Sequence, residues 1–178
     1  PPTLKKFIKS TPVIASEAAG KVISELGFTN INTLKPGETF RYKDLKIQAT
    51  SGAPVPNIEN GYIIDNNSGS IYIEPHGFLD QNIKSREIDI VITPVIDFSL
   101  PIAGKIIKGK TVLPDLLRLF HPSTVFASTT GGDIKFTGIL NKLIKVDGSI
   151  EDIKLFKNTN TKYINPKPFK RYIIKKKE

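Results

Sequence analysis

Gly61-Tyr62-Ile63-Ile64-Asp65-Asn66-Asn67-Ser68-Gly69-Ser70-Ile71-Tyr72-Ile73-Glu74-Pro75-His76-Gly77-Phe78 is the stretch on which the fold turns. Two apolar runs, Gly61 to Ile64 and Ile71 to Ile73, flank Asp65-Asn66-Asn67-Ser68-Gly69, a cluster whose residues tolerate tight-turn backbone. The stretch therefore predicts a β-hairpin. Its second strand runs straight into Glu74-Pro75-His76-Gly77. Pro75 stiffens that turn and Gly77 lets the backbone leave it sharply. Strands that empty into short glycine-containing loops are where α/β proteins place their sites.

Downstream, Ile88 to Thr93 reads as an apolar strand stopped by Pro94, with Asp97 close behind. Pro101 to Gly109 reads as a glycine-punctuated loop. Leu113, Leu116, Leu117 and Phe120 recur at helical spacing, and Thr124 to Ala127 predicts another buried strand. That strand opens into Ser128-Thr129-Thr130-Gly131-Gly132-Asp133. A further helix is expected over Ile139 to Ile144, a last one capped by Ser149, and weak strands near Tyr163 and Tyr172. Upstream, Pro12 to Ala15 predicts a short strand. Ser16 and Glu17 begin a helix carrying Ala18, Ala19, Val22, Ile23 and Leu26, and Gly27 ends it. Ile31 to Leu34 predicts an extended segment. Leu45, Ile47 and Ala49 alternate as in a half-buried strand, and Thr50 to Pro56 reads as a loop rich in small residues and proline. Hairpin strands followed by strand–helix alternation predict a layered α/β protein of the α+β kind.

The chain has 178 residues, of which 39% are hydrophobic and 24% charged, as expected for one globular domain. No apolar run is long enough to span a membrane, so no membrane partner is expected. Pro1 to Ser10 lacks the apolar core of a secretory signal, which argues against secretion. There is no cysteine, which excludes disulfides and thiolate catalysis. There is also no methionine, and the chain opens on Pro1-Pro2, so we expect further sequence upstream. The net charge of +9 is concentrated near the end, in Lys167, Lys170, Arg171, Lys175, Lys176 and Lys177. A basic tail of this kind is more often a solvated terminus than a nucleic-acid contact. We divide the chain into a domain over residues 1–168 and a basic tail over residues 169–178.

The candidate site residues are Glu74, His76, Asp97 and Asp133. With only two histidines, His76 and His121, a conventional histidine-rich metal centre is excluded. Glu74 and His76 together have the chemistry to bind a divalent ion or to act as acid and base. The alternative is that Glu74 caps local amides and His76 is a hydrogen-bonded structural residue. Asp97 is a second candidate carboxylate, or equally a turn or helix-cap aspartate. Asp133 follows hydroxyls and glycines whose amides suit an anion. His121, at a helix end, reads as structural. There is no G-x-S-x-G elbow, and Ser51 has no activating neighbour in sequence.

Several runs together carry a resemblance: Thr11 to Ser16, Glu25 to Phe28, Pro36-Gly37-Glu38, Ala49 to Pro54, Glu59 to Tyr62, Tyr72 to Phe78, Ile92 to Asp97 and Thr130 to Asp133. They resemble a cyanobacterial and plastid branch of the metallo-β-lactamase fold superfamily. The resemblance implies an αββα sandwich with its site at the edge between two sheets, N-terminally incomplete here because the H-x-H-x-D-H motif would lie before Pro1. It implies metal-dependent hydrolysis of an unknown small-molecule substrate, with zinc, iron or manganese, or no metal where the site is lost. Two histidine positions of that family fall at Thr50-Ser51-Gly52 and near Thr129, where this chain has none. The bridging aspartate falls at Glu74-Pro75-His76, with His76 the best match. The expectation is a divergent hydrolase with an altered metal site, or a non-catalytic binding or structural protein on the same fold. An apolar sheet face should then need the missing N-terminal half or a partner chain to cover it. The location expected is cytoplasm or plastid stroma.

Overall fold

The computed structural model describes residues 3–54, 58–101, 103–128, 144–153 and 160–174. Its centre is a seven-stranded mixed sheet. Chain order supplies β3 (Thr39–Tyr42), β4 (Leu45–Pro54), β5 (Ile58–Asn66), β6 (Gly69–Ile73), β7 (Ile90–Thr93), β10 (Thr124–Ala127) and β12 (Lys162–Ile164). The spatial order is β12-β10-β7-β6-β5-β4-β3. From β3 to β6 neighbours run antiparallel, and from β6 to β12 they run parallel. The expected hairpin is β5–β6, with Asn66 paired to Gly69 across its turn.

Alternation within these strands gives the sheet two different faces. Ile63, Tyr72, Val91 and Val125 lie on one face and are almost fully buried. They pack against α2 (Gly109–Phe120) through Leu113, Leu116, Leu117 and Phe120. The rings of Tyr72 and Phe120 meet at 4.7 Å between centroids. Each such buried side chain contributes about 1.5–3 kcal/mol. The other face carries Ile64, Ile71, Ile73, Ile90, Ile92 and Phe126, all only half-buried. Tyr172 packs edge-on against Phe126, so it is a covering residue and not part of a strand.

β1 (Val13–Ala15) and β2 (Ile31–Thr33) form a separate parallel pair joined by α1 (Glu17–Glu25). Ser16 caps α1, its hydroxyl accepting from the Ala19 amide, as its position in the sequence suggests. A third sheet contains β8 (Asp97–Leu100), β9 (Gly104–Lys108) and β11 (Lys145–Asp147). It corrects one expectation: Pro101 to Gly109 is largely the turn and return strand of a β8–β9 hairpin. A second correction concerns Thr50 to Pro54, which continues β4 with a register shift between Ser51 and Pro54. Ser149 does cap a last helix, α3 (Ile150–Ile153), by a reciprocal exchange with Asp152. The helix expected over Ile139 to Ile144 falls outside the described residues except for Ile144, which is not helical. No described helix is long and apolar enough to cross a membrane.

Candidate functional site

Strand pairing fixes where Glu74 lies. Tyr62 pairs with Ile73, and Ile73 pairs with Ile92. One residue further along, Glu74 falls between Gly61 and Thr93, while Gly61 pairs with Thr50 and Thr93 with Ala127. Thr50, Gly61, Glu74, Thr93 and Ala127 thus form one row across five neighbouring strands, on the face that α2 covers. Thr50, Glu74 and Thr93 are all at most 2% exposed. Gly61 makes room in this row, since a Cβ there would lie 2.5 Å from Thr50 Oγ1 and 3.2 Å from Glu74 Cγ.

The two oxygens of Glu74 have different surroundings. Oε2 accepts from the backbone amides of His76 at 3.0 Å and Phe78 at 2.6 Å. Oε1 is buried with no hydrogen-bond partner among the described residues, and lies 3.9 Å from His76 Nδ1. His76 Nδ1 is also buried without a hydrogen bond, with Glu59 Oε2 3.6 Å away. Burial raises the Glu74 carboxyl pKa above its usual value, against the smaller opposing pull of the Phe78 and His76 amides and the imidazole. The Thr50 and Thr93 hydroxyls are likewise buried without hydrogen bonds. Thr50 lies near the hydroxyl of Tyr72, whose pKa burial raises and which donates to the Phe78 carbonyl. Among the described residues, four buried polar atoms of this row and its adjoining turn thus lack a hydrogen bond, which is costly unless something fills the site.

The turn is held from below by backbone. The Lys108 amide donates to the His76 carbonyl at 2.9 Å. Gly77 has φ +69°, and a Cβ on it would lie 2.4 Å from the Gly109 nitrogen. Only glycine accommodates both the left-handed conformation and that approach.

Asp97 is differently engaged. Its Oδ1 accepts from the Thr111 amide at 3.0 Å, and its Oδ2 from Thr111 Oγ1 at 2.5 Å and Lys105 Nζ at 2.7 Å. Burial alone would raise its pKa, but the Lys105 and Thr111 hydrogen bonds outweigh that and hold it below the ordinary aspartate value. Asp97, the first residue of β8, thus ties the first turn of α2 to that strand. Asp133 lies outside the described residues. His121 ends α2 in a left-handed conformation, its amide donating to the Leu117 carbonyl.

Sequence reasoning did not single out Glu59, Thr50, Thr93 or Asp80. Asp80, 6% exposed, accepts from the Ser51 and Asn82 amides and ties the end of β4 to the loop after Phe78. A lone threonine or acid in a strand carries no local signal, and only the register brings these residues together.

Could the row hold a metal? Glu74 Oε1 and His76 Nδ1, both buried and 3.9 Å apart, are atoms of the kind that bind a divalent ion. Among the described residues, however, no group of three or more His, Cys, Asp or Glu side chains is placed to hold one. The fit is therefore partial, and a complete donor set needs residues beyond those described.

The layered α/β fold is metallo-β-lactamase-like. The structure is similar to the isothiocyanate hydrolase from Delia radicum gut bacteria, with a TM-score of 0.63 and 18% identity over 93% of this chain and 68% of that one. It is also similar to a variant of the β-hydroxylase CmlA, with a TM-score of 0.56 and 12% identity. There it covers 86% of this chain but only 38% of that one, so the chain spans well under two thirds of that protein. No family model and no curated protein matches the chain.

Proposed function

We propose that this chain is a divergent, hydrolase-like protein on the metallo-β-lactamase fold, with its reaction centre rebuilt around Glu74 and His76. The observation that carries the reading is the pair of buried atoms Glu74 Oε1 and His76 Nδ1, 3.9 Å apart and without hydrogen bonds among the described residues. A divalent ion there would lower the pKa of a water for attack on an ester, amide or phosphodiester. Glu74 is oriented for this by the His76 and Phe78 amides, which fix Oε2 and leave Oε1 toward the imidazole. Asp133 is the candidate for completing the donor set. Asp97 takes the structural part, because Lys105 and Thr111 already occupy its oxygens. The placement in the cyanobacterial and plastid branch, and with it a plastid or cytoplasmic location, rests on the sequence runs alone.

Metal analysis of the purified protein tests the reading. Stoichiometric zinc, iron or manganese should be present, disappear in His76→Ala and survive in Asp97→Asn. No bound metal, together with no thermal shift on adding any of the three ions, overturns it. That outcome leaves the second reading, a binding or structural protein on the same fold.

A further inference from the structure

A cavity of about 350 Å³ separates α1 from the half-buried face of the large sheet. Ile14, Ala19 and Ile23 form one wall, and Tyr62 and Ile73 form the other. Its polar groups are mostly engaged already. The Ser16 hydroxyl accepts from the Ala19 amide, and Asn60 Nδ2 donates to the Leu34 carbonyl at 2.7 Å and lies 3.5 Å from the Tyr62 hydroxyl. The exception is Glu59, the one charged residue on the described walls, which lies 3.6 Å from His76 Nδ1. Pro75, between Glu74 and His76, also lines the cavity. The space therefore ends beside the candidate site.

We infer that this cavity is a binding pocket for a small molecule with a compact hydrocarbon body and a cationic, hydrogen-bond-donating head. The body lies between α1 and the Tyr62–Ile73 wall, and the head meets Glu59 next to His76. The volume falls in the range of small-ligand pockets, which are largely apolar with a few placed polar groups. Glu59 puts a carboxylate on the described lining and no cation lies there, so charge favours amines over carboxylates. This rests on the proposed function only for the head's position beside the reaction centre.

Titrating the full chain with hexylamine, cyclohexylamine, 1-hexanol and hexanoate, followed by amide chemical shifts, tests the inference. The amines should saturate and move the amides of Ala19, Ile23, Tyr62 and Ile73. Glu59→Gln should weaken the amines by about tenfold, the loss of one charge-assisted contact, and leave 1-hexanol nearly unchanged. Ala19→Phe, or Ala19→Leu should the larger residue disturb folding, should abolish binding of both. No saturation by amines, shifts centred instead on Ile64, Ile71 and Ile90, or hexanoate binding as tightly as hexylamine would each overturn the inference. Neither metal nor turnover enters the readout. Amine binding without a metal leaves the pocket and removes the hydrolase, and metal without amine binding does the reverse.

Discussion

His76 Nδ1 stands 3.9 Å from Glu74 Oε1, and neither atom forms a hydrogen bond among the described residues. Both are buried, in a turn that backbone contacts hold rigidly. A shared proton, a cation or a ligand bridging the two would satisfy both atoms. That makes Glu74 the residue whose charge state governs this end of the sheet.

Glu74→Gln should change the pH dependence of stability. The folded carboxyl has a raised pKa, chiefly from burial. Its contribution is therefore fully present below the ordinary value of 4.5 and is lost as pH rises through the folded value. The amide does not titrate, so the melting temperature of the variant relative to the native chain should rise from acid to neutral pH. A difference that stays constant with pH contradicts the assignment.

Asp97 should behave in the opposite sense. Its depressed pKa gives stability that is present above the ordinary 3.8 and lost as pH falls through the folded value. Asp97→Ala should cost about 2–3 kcal/mol at neutral pH by removing the tie to the first turn of α2 and leaving the Thr111 amide unpaired. Urea unfolding checks this, and a loss below about 0.5 kcal/mol would show that the tie is unimportant.

Gly77→Ala should be among the most damaging single-methyl changes. The new Cβ meets backbone at 2.4 Å in a left-handed conformation, with no flexible side chain able to yield. A cost of about 2–4 kcal/mol is expected. The Phe78 amide, which donates to Glu74, should show the largest shift change in a heteronuclear spectrum.

Thr93→Val tests whether the row is filled. Thr93 is fully buried and its hydroxyl has no hydrogen bond among the described residues. If nothing binds there, replacing the hydroxyl by a methyl group should stabilise the chain by about 1 kcal/mol. If a ligand or ordered water satisfies it in solution, the same change should destabilise by a similar amount, and thermal melts with and without divalent ion separate the two outcomes.

The elements that periodicity marks strongly are where the sequence and structure agree. The β5–β6 hairpin, β7, β10 and the apolar stripe of α2 all have local signals. Thr50 to Pro54 was misleading because its glycine and proline suggest a loop. Gly52 instead serves close approach, since a Cβ there would lie 2.4 Å from the Glu59 carbonyl oxygen. β3 and β11 are too short to announce themselves, and β9 is hidden by its lysines. At the site, Glu74 and His76 are legible because adjacent polar residues interrupt an apolar strand. Asp97 is ambiguous in the sequence, since its partner Thr111 lies 14 residues on, across a hairpin. Glu59, Thr50 and Thr93 become visible only through the register of the sheet.

The sheet's mixed pairing also has a consequence in time. β3 to β6 pair with their neighbours in sequence and need little loop closure, whereas β6–β7 and β7–β10 join more distant segments. The Glu74 turn is closed by Lys108 and Gly109, which emerge from the ribosome well after it. Its carboxyl should therefore remain wet through the early stages of synthesis and become enclosed only when α2 docks. Pulse-labelled hydrogen exchange during refolding should accordingly find the amides of His76 and Phe78 protected later than those of the β5–β6 hairpin.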